Sequence, residues 1–186
     1  MLKHRKAATI LAATGLTLGL VGGLQATAQA DPPSRGSANL ATFEGRKIDL
    51  SQDWGAAKAC VVWRGQDTVS CFRTAAERDA HAAKLSARQT PAVAAASCAR
   101  PLHVYEHNDG RGRDLKFYDK GGAYQNLDRY NFNDKTSSYR TGSCKAHLAE
   151  HNGGRGHWYP GNTNANHYEK AMRGGWNDRV SSVLNY

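Results

Sequence analysis

The chain lacks most of the short signatures by which a sequence announces catalysis. There is no G-x-S-x-G, so no hydrolase elbow. There is no phosphate-binding G-x-x-x-x-G-K-[ST] loop. Its four cysteines never fall in C-x-x-C spacing, which argues against a structural thiolate metal site. No run of clustered lysines or arginines forms a stripe, so a nucleic-acid partner is not expected despite a net charge of +9. Beyond residue 97 almost nothing has helical periodicity, which excludes a helical bundle for that half.

What is present begins with an export signal. MLKHRK is a basic start, Ala7 to Leu24 is apolar and rich in small residues, and Ala28-Gln29-Ala30 is a small-x-small cleavage site. Residues 1–30 are expected to be removed as a signal peptide, giving a secreted, extracellular protein with no membrane attachment. Lys3, Arg5 and Lys6 leave with that segment, which lowers +9 to +6. No twin-arginine pair precedes the apolar run. In an oxidising compartment an even number of cysteines reads as disulfides. Three pairings of Cys60, Cys71, Cys98 and Cys144 are open. Cys60 and Cys71 flank VVWRGQDTVS, a hairpin turning at Arg64 to Asp67, which makes them the local pair and leaves Cys98 with Cys144.

Residues 31–97 are expected to be an N-terminal extension. Asp31 to Leu40 is a Pro/Ser/Gly-rich start, Gly45 to Leu50 a strand, and the disulfide hairpin follows. Thr74 with Glu77 forms a capping box that opens a helix running to about Arg88. Pro91 ends it, and Thr90 to Ser97 is a small-residue linker. Residues 98–186 change character: Gly, Asn and Tyr with short apolar runs predict short strands and turns. They contain a duplication at a constant offset of 44 residues. EHNDGRGR, Glu106 to Arg113, returns as EHNGGRGH, Glu150 to His157. Tyr124 returns as Tyr168, Phe132 as Trp176, and NDKTSS from Asn133 returns as NDRVSS from Asn177. Two copies are too few for a solenoid, and a duplicated antiparallel motif closing on its twin is the natural architecture.

With those residues in view, 98–186 resembles a βγ-crystallin domain of two Greek-key motifs. That family opens each motif with an aromatic and a hairpin holding a strained Gly, as in Tyr105 to Gly112. It ends each with N/D-N/D-x-x-S/T-S, matched in full by both copies. The fold class implied is mainly β: a double Greek-key sandwich preceded by a small disulfide hairpin and one helix. The resemblance further implies a non-enzymatic calcium-binding module, expected to be monomeric. Its ions would be held by Asn133, Asp134, Lys135, Ser137 and Glu106, and by Asn177, Asp178, Arg179, Ser181 and Glu150. Glu106, Glu150, Lys135 and Arg179 would act through backbone carbonyls, and which residue serves which ion is open. Hard oxygen donors of this kind suit calcium, and few carboxylates point to affinities of roughly 10⁻⁵ to 10⁻³ M. The bland alternative is that N-D and S-S only cap turns and tie strand ends. The sequence departs from the family at Gly110 and Gly154, where an aromatic is usual, and at Ala149, which stands where the second motif should open on one.

Two further readings compete. HVYEH, His103 to His107, and HLAEH, His147 to His151, spell a zinc-protease signature. Both segments look like strands, in which residues four apart lie roughly 13 Å apart, too far for one ion. More faintly, GRKIDLSQDWGAAKACVVW and the following CF are similar to secreted crystallin-fold peptidase inhibitors. A peptidase inhibitor or killer-toxin-like antimicrobial protein is the alternative function. Its partner would be a secreted protease or a cell-surface component, and the Arg64–Asp67 tip with Trp63 as anchor would make the contact. Tyr118, Tyr130, Tyr139, Trp158 and Tyr159 are expected mainly as core, with a carbohydrate platform as the other possibility.

Overall fold

In the computed structural model the described residues are 39–63, 68–95 and 97–186. The leader, the Pro/Ser/Gly-rich start up to residue 38 and the Arg64–Asp67 tip lie outside them. The described residues belong to one compact unit, built as follows. An antiparallel pair, β1 (Leu40–Phe43) and β2 (Arg46–Asp49), turns through Glu44 and Gly45, both at positive φ. The disulfide hairpin is β3 (Ala59–Trp63) with β4 (Thr68–Phe72). Helix α1 (Ala75–Ser86) opens on the expected capping box: the Thr74 hydroxyl accepts from the Glu77 N–H, and the Glu77 carboxylate accepts from the Thr74 N–H. The small-residue linker is not extended throughout. Pro91 starts a short helix, α2 (Pro91–Ala95), in keeping with its preset φ at a first helical position.

The repeat supplies β5 (Ser97–His107), β6 (Arg111–Asp119), β7 (Gln125–Asn126) and β8 (Ser138–Arg140) in its first copy. The second copy supplies β9 (Ala146–Ala149), β10 (Tyr168–Glu169) and β11 (Ser182–Asn185). Strand order is β10-β8-β5-β6-β3-β4-β1-β2 in one sheet and β7-β11-β9 in the other. β7 of the first copy and β10 of the second therefore each sit in the sheet of the other copy. This exchange closes two motifs into one sandwich, and the fold is mainly β and crystallin-like.

Composition changes at Cys98, but the sheet does not. β3 runs parallel to β6, with Cys60 opposite Leu115 and Val62 opposite Phe117. One core holds Leu50, Trp54, Cys60 and Val62 together with Leu102, Phe117, Phe132, Tyr139, Trp176 and Val183. Trp54 is 1% exposed, and its indole N–H donates to the carbonyl of Tyr130 at 2.6 Å. The other face of β3 carries Val61 and Trp63, which pack with Tyr118 and with Ala82 of α1. Strand alternation thus sends Cys60 and Val62 to the main core and Val61 and Trp63 to the helix.

Both expected disulfides are present. Cys60 lies directly opposite Cys71 in the β3–β4 register. Cys98 and Cys144, at the entrances of the two copies, bridge 46 residues. No described helix is long and apolar enough to cross a membrane.

Candidate functional site

The two N-D-x-x-S-S loops meet each other. The N–H of Asp134 donates to the carbonyl of Val180, and the N–H of Asp178 donates to that of Thr136, both at 3.1 Å. Asp134 and Asp178 adopt left-handed φ of 53° and 56°. Short Asx side chains tolerate that region best, which is one reason each loop places an Asp there. The turn aims each carboxylate across to the other copy. Asp178 Oδ1 lies 3.3 Å from the Ser137 hydroxyl, and Asp134 Oδ1 lies 3.0 Å from that of Ser181.

Each of those serines also faces a carbonyl from the opening hairpin of its own copy. Ser137 Oγ is 2.8 Å from the Glu106 carbonyl, and Ser181 Oγ is 2.6 Å from that of Glu150. A hydroxyl has one proton to donate. In each cluster, then, a carbonyl, a carboxylate oxygen and a hydroxyl oxygen converge with a single proton among them. Both serines are buried, and Lys135, Asn177 and Asp178 line an open depression of about 540 Å³ over the first cluster.

The expected ligands divide into roles. Glu106, Ser137 and Asp178 converge, as do Glu150, Ser181 and Asp134. Asn133 and Asn177 turn their amides inward to their neighbours, each donating to the second carboxylate oxygen of Asp134 or Asp178 at 2.7 Å. They brace the carboxylates. The second serine of each pair has a separate task. Ser138 Oγ donates to the His107 carbonyl and accepts from the Gly110 N–H, while Ser182 does the same with His151 and Gly154. The double serine thus joins one residue facing the other copy to one that ties down its own hairpin.

The side chains of the two glutamates are engaged elsewhere. Glu106 pairs with Arg113 at 2.9 Å, and that guanidinium lies over Trp54 and Phe132. Burial alone would raise the Glu106 carboxyl, but the Arg113 hydrogen bonds and charge outweigh it and hold the group below its ordinary value. Glu150 takes its arginine from a different place. Arg179, inside the clamp loop itself, bonds it at 2.6 Å while lying over Trp176. Hydrogen bonds from Arg179, then from His157, pull the Glu150 carboxyl down to about 2. The sequence named Arg179 for its carbonyl and missed both side-chain pairings.

The missing hairpin aromatics are replaced across the pseudo-two-fold. A Cβ at Gly154 would fall 2.2 Å from the Tyr124 ring, and one at Gly110 would meet the Tyr168 hydroxyl at 3.0 Å. Each tyrosine comes from the opposite copy. The expected core aromatics Tyr118, Tyr130, Tyr139 and Tyr159 are buried, whereas Trp158 is half exposed and stacks on His147.

The H-x-x-E-H segments are extended, and among the described residues no three His, Cys, Asp or Glu side chains gather as a metal cluster. His103 pairs with Asp114 instead. The proposed anchor of an inhibitory loop is not available as drawn. Trp63 is 3% exposed and stacked on Tyr118 with centroids 4.2 Å apart.

No protein-family model and no curated protein matches the sequence. Solved structures do. A βγ-crystallin from Ciona intestinalis is 22% identical over 46% of this chain and 99% of its own, with a TM-score of 0.39. The chain is similar to βγ-crystallin domains. A second such domain, from Flavobacterium johnsoniae, is 29% identical over 46% of this chain and 92% of its own, with a TM-score of 0.35. A double mutant of the domain from Clostridium beijerinckii gives 22%, 47%, 98% and 0.38.

Proposed function

We propose that this protein is an exported calcium-binding module of βγ-crystallin type, with one ion at each of the two oxygen clusters. The observation that carries the reading is the proton shortage. Three oxygens with one proton among them form an electron-rich point that a hard cation suits. In the proposed sites, Glu106, Ser137 and Asp178 hold one ion, and Glu150, Ser181 and Asp134 hold the other. The backbone carbonyls of Lys135 and Arg179 complete the set. When bound, calcium supplies positive charge shared by a carboxylate from one copy and a hydroxyl and carbonyl from the other. The chain's own contribution is placement: left-handed φ at the two aspartates, the Asn133 and Asn177 braces, and buried serines.

Binding of this kind stabilises the folded chain by mass action. At 1 mM calcium and a dissociation constant of about 10⁻⁵ M it is worth roughly 2.7 kcal/mol per site, and much less near 10⁻³ M. Two disulfides and the leader fit a location outside the cell, where millimolar calcium would fill the sites by half or more.

A calorimetric titration is the direct test. Two ions should bind per chain. Asp178→Ala should remove the ion at Ser137 and Asp134→Ala the ion at Ser181, leaving the other in each case. The double variant should show no heat and no calcium-dependent melting shift. A wild type whose melting temperature and heat are both blind to calcium overturns the proposal and leaves the loops as turn caps.

A further inference from the structure

The sheet of the first copy presents an outer face that the calcium reading does not use. One cross-strand row runs over it: Tyr168 opposite Arg140, Arg140 opposite His103, and His103 opposite Lys116. Cations gathered in one row of a sheet repel one another. Beside this row the C-terminal half of α1 and the start of β5 raise walls, enclosing a groove of about 500 Å³. Arg100, Lys116 and Arg140 line it, and among the described residues Asp79 is its only acidic lining residue.

The charges do not cancel within the groove. Lys116 is 5% exposed and its ammonium bonds Asp79 at 2.5 Å. Asp79 is shared, since Arg78 also bonds it at 2.9 Å. Arg78 and Asp114 pair with each other beneath the floor. Arg100 donates to the neutral amide of Asn166, and the Arg140 guanidinium rests on the Tyr168 ring at 4.4 Å. Among the described residues neither arginine has a carboxylate partner. His103 lies between the two cationic strands and is part of the same floor. Burial holds its imidazole below the ordinary value despite the opposing bond to Asp114.

We propose that this groove binds an oxyanion carried on a sugar-sized polar ring, a carboxylated or phosphorylated saccharide unit. The anionic group would lie between the guanidinia of Arg100 and Arg140, within the field of Lys116. Guanidinium forks match carboxylate and phosphate oxygens, and charge-assisted bonds of this type are about twice as strong as neutral ones. The volume exceeds what a bare anion needs and falls in the range of small-ligand sites. The Tyr168 ring and the Asn166 amide supply the stacking surface and hydrogen bonds that a polar ring uses. The groove shares no residue with the two oxygen clusters, so it is independent of calcium.

The test is an amide-shift titration of the full chain with glucuronate, glucose 6-phosphate, glucose and inorganic phosphate, at fixed ionic strength. Both sugar anions should shift resonances of β5, β8 and β10 and bind at least tenfold tighter than glucose. Arg100 and Arg140 are exposed, so the Arg100→Gln/Arg140→Gln variant should fold as the wild type does. It should lose affinity by tenfold or more. Asp134→Ala/Asp178→Ala should bind the sugar anions unchanged. The proposal is overturned if neither sugar anion binds at about 10 mM, or if the double arginine variant binds them equally well. It is also overturned if inorganic phosphate binds as tightly as glucose 6-phosphate, which would make the groove a bare anion site.

Discussion

The two copies of the repeat share their clamp loops but differ in the strand that follows the opening hairpin. In the first copy RGRDLKFYD is the nine-residue strand β6, paired with β5 on one side and β3 on the other. In the second, the aligned RGHWYPGNT builds no continuous strand: an isolated bridge joins Ala149 and Trp158, with separate backbone bonds from the Tyr159 N–H to the Leu148 carbonyl and from the Ala146 N–H to that of Thr163. The reason is in the residues. Leu115, Phe117 and Lys116 place apolar or stem-rich side chains on both faces, while Pro160 has no N–H to donate and Gly161 lies close under the Tyr159 ring. Only the first copy therefore offers a regular strand edge, and the N-terminal hairpin and α1 are built on that copy.

The largest test of this picture is to uncouple the copies. In the chain-entropy account, removing the Cys98–Cys144 bridge, with its 46-residue separation, should cost about 4 kcal/mol. Removing Cys60–Cys71, separated by 11, should cost about 3. Urea midpoints of the two paired Cys→Ser variants give the comparison. A local bridge that matters more than the one between copies would mean that the hairpin, not the pseudo-two-fold, anchors the fold.

A smaller effect separates the two hairpins. Gly110 and Gly154 both have positive φ, but an added methyl meets a tyrosine hydroxyl in one and overlaps the ring in the other. Gly154→Ala should lose about 3 kcal/mol and Gly110→Ala about 1. Equal losses would show that backbone strain, common to both, outweighs the crossing tyrosines.

The smallest expected effect concerns the glutamates. Glu150 is depressed in the folded state, so its contribution is present above its ordinary 4.5 and is lost as pH falls toward about 2. Glu106 follows the same sign. Denaturation profiles taken down through this acid range should flatten in Arg179→Gln through Glu150 and in Arg113→Gln through Glu106. An Arg179→Gln profile that overlays the wild type would remove the loop arginine from the account.

Much of this was legible in the residues. The constant offset revealed the duplication, and each N-D-x-x-S-S loop carried its turn and paired serines in order; the amide bonds from Asn133 and Asn177, expected as ligands, to Asp134 and Asp178 were not read. The capping box and the Cys60–Cys71 pair followed from local spacing, and that pair left Cys98 to Cys144. What escaped was non-local. LATF at Leu40 to Phe43 has no strong alternation, and its parallel pairing with β4 leaves no mark in the sequence. The parallel contact of β3 with β6 merges the extension into the main sheet, although composition changes sharply at Cys98. Glu106 and Glu150 read alike, yet one finds its arginine on the next strand and the other in a loop 29 residues away. The difference lies in the matched positions: Arg113 stands where the second copy has His157, and Lys135 where it has Arg179.

The bridge between Cys98 and Cys144 bears on how the molecule withstands damage. Lys120, Gly122 and Ala123 lie exposed in the connection between β6 and β7. A protease cut there would separate the chain ahead of β7 from the rest, yet Cys98 on one fragment remains bonded to Cys144 on the other. On the second fragment β10 continues to pair with β8, and β8 with β5 of the first. The nicked chain is held together as one particle, and only reduction followed by loss of those strand pairings sets the pieces free.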